Sequence, residues 1–465
     1  MKSIRIGQKE IIHFLGIGGI GMSGLAQVMK NMGFNIQGSD QNQNKSTSNC
    51  SRAGIKVFIG HAKRNIKNAT IIVKSSAIKN NNVEIKQGKI KKIPIYSRAE
   101  VLANVVSLKK NIIITGSHGK TTTTSLVAKI LSDQKLDPTI INGGVINSFK
   151  NNAKLGKGEW AILEADESDG SFLKLPINYS IVTNIDFEHI DYYKNYKNLE
   201  NAFIEFINKT PPIGKSLICI DNKNINKILT KIKNINILTY GFNKKSNYRI
   251  SNPRYYTDYS LFDLQYKDLN DRKKIIKNIN LRLIGRHNIL NAAAAVAVCI
   301  NLGVNINIIK KALKNFSGVQ RRMTKIFTKN KNEFFDDYAH HPTEISSILD
   351  GINKAYSKRK IITVFEPHRY SRIISLKKAF SKSFLQSDLV LICPLYAAGE
   401  KKNLNFNLYN FAKLIAKNSK TQVVLVKNQK ELSNYFRKNL ISNEIIIGMG
   451  AGSISQWMRE LKFSL

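Results

Sequence analysis

The stretch Ile112–Thr124, I-I-I-T-G-S-H-G-K-T-T-T-T, has the residue types and spacing of a phosphate cradle. Gly116 and Gly119 bracket Ser117 and His118, and Lys120, Thr121 and Thr122 follow directly. The backbone N–H groups of such a loop, with the dipole of the helix behind it, attract an anion. Lys120 adds a point charge, and the Thr121 hydroxyl can hold Mg²⁺. The long motif G-x-x-x-x-G-K-[ST] is broken because Ile114 stands where its first glycine belongs, which leaves the shorter G-x-x-G-K-T form.

Other clusters could serve the same chemistry. Glu164-Ala165-Asp166-Glu167-Ser168-Asp169 holds four acids in six residues. A hard cation bridging nucleotide phosphates needs such oxygen ligands, and a solvated acidic turn is the alternative. His189, after Ile185-Asp186-Phe187-Glu188, could reach a second metal or a phosphate, or lie on the surface. His287, Asn288 and Asn291 could hydrogen-bond a purine edge, although Asn288 could equally cap a helix. Nearer the N-terminus, Gly16-Ile17-Gly18-Gly19-Ile20-Gly21 is a G-x-G-x-x-G loop with Asp40 about 20 residues beyond it. Its glycines would let a nucleotide diphosphate approach the backbone, and Asp40 could take a ribose hydroxyl.

Each cluster needs a strand or helix to aim it. Ile11–Leu15 reads as the strand before the first glycine loop, with a helix through Met22, Leu25, Ala26, Val28 and Met29 after it and a strand Phe34–Gln37. Further strands over Val57–Ile59, Ile71–Val73 and Ile93–Tyr96, and a helix over Ala99–Val106, complete a Rossmann-like domain ending near Leu108. Ile112–Ile114 is the strand feeding the cradle, and Leu126, Val127, Ile130 and Leu131 mark its helix. Trp160–Leu163 and Ile181–Asn184 are strands whose C-terminal ends carry the acids and His189, on the edge where α/β sheets place ligands. Lys215–Asp221 is a further strand, residues 242–284 a polar β-rich insertion, and His287–Leu302 a helix closed by Gly303. Strands over Glu333–Asp337, Ile361–Phe365, Leu389–Cys393, Val423–Val426 and Glu444–Ile447 alternate with helices, so a second Rossmann-like parallel sheet is expected there. The expected fold is therefore α/β in three domains: N-terminal Rossmann-like (1–108), central P-loop ATPase-type α/β (109–318) and C-terminal Rossmann-like (319–465).

The bulk numbers agree with three modules, since 465 residues correspond to about 150 per domain. No apolar run approaches the ~18 residues of a spanning helix, and Ile11–Leu15 is too short for a secretory core, so a soluble, cytoplasmic protein with no membrane insertion is expected. The cysteines (Cys50, Cys219, Cys299, Cys393) lie far apart and form no C-x-x-C pair, which suits a reducing compartment. The net charge of +41 is abnormal in sign balance, because charged residues make up only 23% of the chain. Its lysines are scattered pairs with no basic tail or nucleic-acid motif. Weak polyanion binding at low salt is expected, but no specific nucleic-acid partner.

Taken together, H-F-L-G-I-G-G-I-G-M-S-G, G-S-H-G-K-T-T-T, E-A-D-E-S-D, G-R-H-N-I-L-N-A, G-V-Q-R-R, D-D-Y-A-H-H-P-T-E and P-H-R-Y-S-R, in this order, resemble the Mur ligases of peptidoglycan synthesis. The resemblance runs from His13 to Gly452. Ser117, Glu188, Glu366 and Ser453 depart mildly from the usual pattern, and the segment after Gly399-Glu400 lacks the usual proline and glycine.

The resemblance implies UDP-binding, ATP-binding and amino-acid-binding domains. It also implies ATP-driven amide formation between the carboxylate of UDP-N-acetylmuramate and L-alanine, through an acyl phosphate. Lys120 would neutralise the phosphate oxygens, Thr121 and Glu167 would hold one Mg²⁺, and His189 a second. His287, Asn288 and Asn291 would face adenine, Asp337 the ribose and Arg322 the phosphates. Gly16, Gly18, Gly19, Gly21 and Asp40 would hold the UDP, with His61, Ser75 and Ser76 nearby. His368, Arg369 and Arg372 would take the alanine carboxylate, because arginine clamps carboxylates in bidentate fashion. Two rivals are a sister ligase that adds a tripeptide to the same UDP-sugar and a nucleic-acid-binding P-loop ATPase. The P-H-R-Y run favours a single amino acid over a tripeptide.

Overall fold

The computed structural model describes residue 7 and residues 9–403 and 405–465, with no account of the side chains at 190 and 191. The first sheet contains β1 (Ile11–Leu15), β2 (Asn35–Asp40), β3 (Lys56–Ile59), β4 (Ile71–Lys74) and β5 (Ile95–Ser97), in the order β3-β2-β1-β4-β5. All its pairs are parallel. The run Ile-Ile-His-Phe-Leu of β1 is nearly continuous in apolar residues because this central strand is covered on both faces. The order reverses at β1, so the glycine loop after it opens at the switch point where such sheets receive ligands.

The second sheet has ten strands: β6 (Lys110–Thr115), β7 (Thr139–Ile146), β8 (Asn151–Lys154), β9 (Trp160–Glu164), β10 (Tyr179–Val182), β11 (Lys215–Cys219), β12 (Ile237–Gly241), β13 (Tyr248–Tyr255), β14 (Ser260–Lys267) and β15 (Lys273–Leu281). Their order is β15-β14-β13-β12-β11-β10-β6-β9-β7-β8. β6 lies between β9 and β10, parallel to both, and Ile112, Ile113 and Ile114 are fully buried. The three strand ends that carry the cradle, the acids and the Thr183–His189 segment are therefore neighbours.

The third sheet joins β16 (Thr324–Lys329), β17 (Asn332–Asp337), β18 (Ile361–Phe365), β19 (Leu389–Ile392), β20 (Gln422–Leu425) and β21 (Ile445–Met449) in the order β16-β17-β21-β18-β19-β20. It is not wholly parallel. β16 turns back on β17 through a tight antiparallel hairpin with a register shift between Lys325 and Phe327. A two-residue connection permits only that direction, since a parallel partner needs a long crossover.

Contacts divide the chain into two compact units. One comprises residues 1–252, 262–280 and 290–317; the other comprises 253–261, 281–289 and 318–465. The first sheet and strands β6–β12 of the second share the first unit, where Asn152 Nδ2 donates to the Ile20 carbonyl at 2.9 Å and Asn151 Nδ2 to Gln27 Oε1 at 3.1 Å.

Several elements differ from the sequence expectation. β2 runs on to Asp40, and β10 stops at Val182, leaving residues 183–189 as a loop. A helix at Lys45–Arg52, with almost no apolar periodicity, is started by an Asn44–Thr47 capping box and anchored by buried Cys50. Among the described residues, no helix is long and apolar enough to cross a membrane.

Candidate active site

The cradle is held open by two left-handed glycines. Gly116 has φ +128° and Gly119 φ +84°, and a Cβ on either would lie 2.2 Å from Thr183 Oγ1 or 2.4 Å from Asn291 Oδ1. Residues after β10 clasp the loop from one side. Asn184 Oδ1 accepts the His118 N–H at 2.8 Å, Thr183 Oγ1 donates to the His118 carbonyl at 2.6 Å, and His118 Nε2 lies 2.9 Å from Asp186 Oδ2. Ser117 Oγ accepts the Asp186 N–H at 2.8 Å. Thr122 is buried in the first turn of the helix behind the loop. Sequence reasoning named Asp186 only as part of a run and gave Thr183 and Asn184 no role; their place at the end of a strand pairing with β6 is the signal that could have found them.

Lys120 is turned inward. Its Nζ donates to the Gly116 carbonyl at 2.6 Å, the Ser117 carbonyl at 3.3 Å and Glu167 Oε2 at 2.8 Å. Burial disfavours the ammonium, but the Glu167, Asp166 and Glu164 carboxylates outweigh it and raise its pKa. Burial by itself would raise the Glu167 carboxyl, yet Lys120 and His189 pull it down to about 2. His189, at φ +57°, brings Nε2 to 3.4 Å from Glu167 Oε1 and 3.6 Å from Glu188 Oε2. Burial pulls its pKa down, and Glu167, Glu188 and Asp166 more than reverse that.

A divalent cation fits beside this pair. Ligand atoms of Asp166, Glu167 and His189 lie within 4.8 Å of one another. Glu167 Oε1 is buried without a hydrogen-bond partner, so a carboxylate oxygen of the kind Mg²⁺ takes is available there. Thr121 belongs to a different contact: its Oγ1 donates to Glu164 Oε1 at 3.0 Å, and Glu164 Oε2 accepts the Gly143 N–H at 2.6 Å. Asp166 and Glu164 were visible in the acidic run, but their separate partners were not.

Around the first glycine loop, the Ser39 carbonyl accepts the Gly16 and Ile17 N–H groups at 2.8 and 3.0 Å, and Gly19 N–H donates to the Gly16 carbonyl. Asp40, expected at a ribose, spends Oδ2 on the Gly18 N–H at 2.8 Å. Ser75 packs on Gly16, and Ser76 is exposed. His61 Nδ1 meets Ser39 Oγ at 3.2 Å, within a buried network in which Glu84 also bonds His13, Ser39, Asn65 and the Ala62 N–H. Burial would raise the Glu84 carboxyl, but the bonds from His13, Ser39 and Asn65 hold it below the usual range. Sequence reasoning missed Arg98, whose guanidinium Nη1 would be 2.9 Å from a Cβ on Gly21 and so offers a cation beside the loop.

The remaining candidates fall in two groups. Asn291, in the first unit, packs on Gly119 of the cradle. In the second unit, His287 is held neutral near pKa 4 by burial, with Arg322 adding to the effect, and Asn288 Nδ2 donates to the Ile284 carbonyl at 2.8 Å. Asp337 accepts N–H groups from Met323 and Ala339, both at 2.7 Å, and burial lifts its carboxyl to about 6 against the pull of Arg322. Arg322 Nη1 is 3.6 Å from Glu344 Oε1. In the same unit, Arg372 Nη1 donates to His368 Nδ1 at 3.2 Å. Burial, then Arg372, Arg369 and Arg321, lower His368 to about 4, so it accepts as a neutral ring. Arg369 is exposed and at φ +65°.

Three family models match successive parts of the chain. Residues 11–110 match the model described as the Mur ligase family, catalytic domain; residues 114–299 the Mur ligase middle domain; and residues 321–452 the Mur ligase, glutamate ligase domain. The chain is 55% identical to a UDP-N-acetylmuramate–L-alanine ligase of Pelagibacter ubique, over 98% of this chain and 99% of that one. It is 40% identical to the Brucella anthropi protein of the same name, over 96% of this chain and 95% of that one. A crystal structure of UDP-N-acetylmuramate-alanine ligase from Thermotoga maritima superposes with TM-score 0.82 at 26% identity, over 97% and 98% of the two chains. A murein peptide ligase from Psychrobacter arcticus shares the fold, with TM-score 0.70 at 21% identity, over 98% of each chain.

Proposed function

The chain belongs to the Mur ligase family, and from that premise we propose that it joins L-alanine to the carboxylate of UDP-N-acetylmuramate at the expense of ATP. The observation that carries this reading is the end-to-end likeness to relatives named for that reaction. The tripeptide-adding alternative has only a likeness of fold behind it. The product is a peptidoglycan precursor; with it go a cytoplasmic location and a contribution to cell shape and division. The modules proposed are residues 1–108 for the UDP-sugar, 109–318 for ATP and 319–465 for the amino acid.

The chemistry assigned to these residues runs in two steps. A carboxylate oxygen of the sugar's lactyl group attacks the γ-phosphorus, the bond to ADP breaks, and an acyl phosphate forms. The free amine of L-alanine then attacks the acyl carbon, the nitrogen gives up a proton, and the tetrahedral intermediate expels phosphate, which carries the proton away. Negative charge crowds at the transferring group, so the donors around it must be cationic and already in place. Lys120 would exchange Glu167 for the β- and γ-phosphate oxygens, while the N–H groups of residues 116–121 cradle them. Asp166, Glu167 and His189 would hold Mg²⁺, which when bound offsets phosphate charge, and Thr121 would join them by giving up its bond to Glu164. Asn291, His287 and Asn288 would meet adenine, Arg322 the phosphates, and Asp337 the ribose through lone pairs its two backbone bonds leave open. The glycines of residues 16–21, Asp40, His61, Ser75, Ser76 and Arg98 would take the UDP, and His368, Arg369 and Arg372 the alanine carboxylate.

The test is a screen of phosphate release and product mass with ATP, magnesium, UDP-sugars and amino acids. Release that requires both UDP-N-acetylmuramate and L-alanine, with a UDP-linked alanyl product, is expected. Turnover stimulated by the tripeptide and not by alanine would overturn the assignment.

A further inference from the structure

The last glycine loop of the chain is filled by one of its own carboxylates. β21 leads into Gly450-Ala451-Gly452-Ser453 and the helix Ile454–Ser464, a strand–loop–helix arrangement that elsewhere receives phosphate. Glu366, just after β18 and 2% exposed, reaches into that loop. Its Oε1 accepts the Gly452 N–H at 2.9 Å. Its Oε2 accepts the Ser453 N–H at 2.9 Å, the Ile454 N–H at 3.2 Å and the Ser453 hydroxyl at 2.5 Å. A carboxylate at a helix N-terminus with four donors is an anion in its seat, supplied by the protein.

A chain of contacts ties this seat to the Pro367–Arg372 turn. Glu366 N–H donates to the Met449 carbonyl at 2.9 Å. Gly452 is wedged between the carboxylate and a ring: a Cβ there would lie 2.5 Å from Glu366 Oε1 and 2.5 Å from Tyr396 Cγ. The Tyr396 ring stacks on the His368 imidazole, with centroids 5.6 Å and planes 6° apart. Tyr396 N–H donates to the Pro367 carbonyl at 2.8 Å, and Arg369 N–H to the Tyr396 carbonyl at 2.9 Å. His368 Nδ1 in turn accepts from Arg372. Arg369 at φ +65° is in a conformation that a non-glycine residue keeps only when its surroundings impose it.

We propose that Glu366 is a positioning residue for the amino-acid clamp. By occupying the glycine loop it fixes Gly452 and Tyr396, and through them the orientation of His368, Arg369 and Arg372. The built-in carboxylate also removes a rival seat for the alanine carboxylate. This inference rests on the alanine-ligase reading above.

The experiment compares Glu366→Ala and Glu366→Gln with the unaltered enzyme, measuring KM for each of the three substrates and the melting temperature with and without formate. Glu366→Ala is expected to raise the KM for L-alanine by about tenfold or more, with the other two KM values within about twofold. Glu366→Gln, whose amide oxygen can still accept at the Oε2 position, should stay within about threefold. Formate should lower the alanine KM of Glu366→Ala and raise its melting temperature, and should do neither for the unaltered enzyme. An unchanged alanine KM in Glu366→Ala, or an equal loss for all three substrates with no formate effect, would overturn the proposal. If Glu366→Ala does not fold, the pair Glu366→Gln with Ser453→Ala reads the same quantity, and an alanine KM no higher than that of Glu366→Gln overturns it. An unaltered protein that makes no alanyl product refutes the ligase reading instead. The formate-dependent melting shift then decides the anchoring, and equal shifts in both proteins refute it.

Discussion

Replacing Lys120 by alanine separates what the amine does for the fold from what it does for phosphate. Lys120 Nζ lies 2.8 Å from Glu167 Oε2, with the side chains 14% and 1% exposed. Removing one partner of a buried ion pair strands the other charge and costs about 3–5 kcal/mol. The low end, about 3 kcal/mol, is expected, because His189 remains 3.4 Å from Glu167 Oε1. The double variant Lys120→Ala/Glu167→Gln carries neither charge and should recover to within about 1 kcal/mol of the unaltered protein. Phosphoryl transfer should fall by about 10²-fold or more in both variants.

The pH dependence has a definite sign. A carboxyl whose folded pKa is depressed contributes stability that is fully present above its unfolded value and lost as pH falls. The gap between the unaltered protein and Lys120→Ala should therefore widen as pH rises and close as pH falls toward 2, where Glu167 of the unaltered protein takes up its proton. Of the two tryptophans, Trp160 lies in the first unit and Trp457 in the second, so urea titration of a Trp457→Phe background, read by fluorescence, reports on the unit that holds the pair. A Lys120→Ala protein as stable as the unaltered one would refute the reasoning, as would a double variant no more stable than the single, or a gap that ignores pH.

Two further outcomes are expected. Gly18→Ala would put a Cβ 2.6 Å from Asn44 Nδ2 and 2.7 Å from Asp40 Oδ2, breaking the tie that shapes the first loop; the KM for the UDP-sugar should rise about tenfold with that for ATP unmoved, and an unchanged UDP-sugar KM counts against a binding loop there. Arg369→Ala should raise the alanine KM by about 10- to 100-fold, and alanine saturation indistinguishable from the unaltered enzyme would remove that arginine from the clamp.

What could be read from the chain alone follows from locality. Buried strands such as Ile112–Ile114 and Ile445–Ile447 are runs of β-branched residues, so their place shows in the sequence itself. The glycine loops and Lys120 show for the same reason: left-handed backbone and close approach at Gly16, Gly116 and Gly119 leave few alternatives to glycine. The helix at Lys45–Arg52 did not show, because a capping box and one buried cysteine hold it where a repeating apolar face would have been visible. Nor did the assignment of residues 253–261 and 281–289 to the second unit, which depends on contacts such as Tyr356 Oη to the Thr257 carbonyl, 3.0 Å across a long sequence separation.

The sequence by itself determined which chemical groups are present and at which strand ends they emerge, since these depend on residue type and on periodicity over a few positions. Only the tertiary structure decided their partners. Lys120 is paired with Glu167, Thr121 with Glu164, Asp40 with the Gly18 N–H and Glu366 with the loop at Gly452–Ile454. Each of these pairs joins residues separated by 22 or more positions. Hydrogen bonds and ion pairs act over a few ångströms, so the order of strands in the sheets, and not distance along the chain, settles which acid meets which donor.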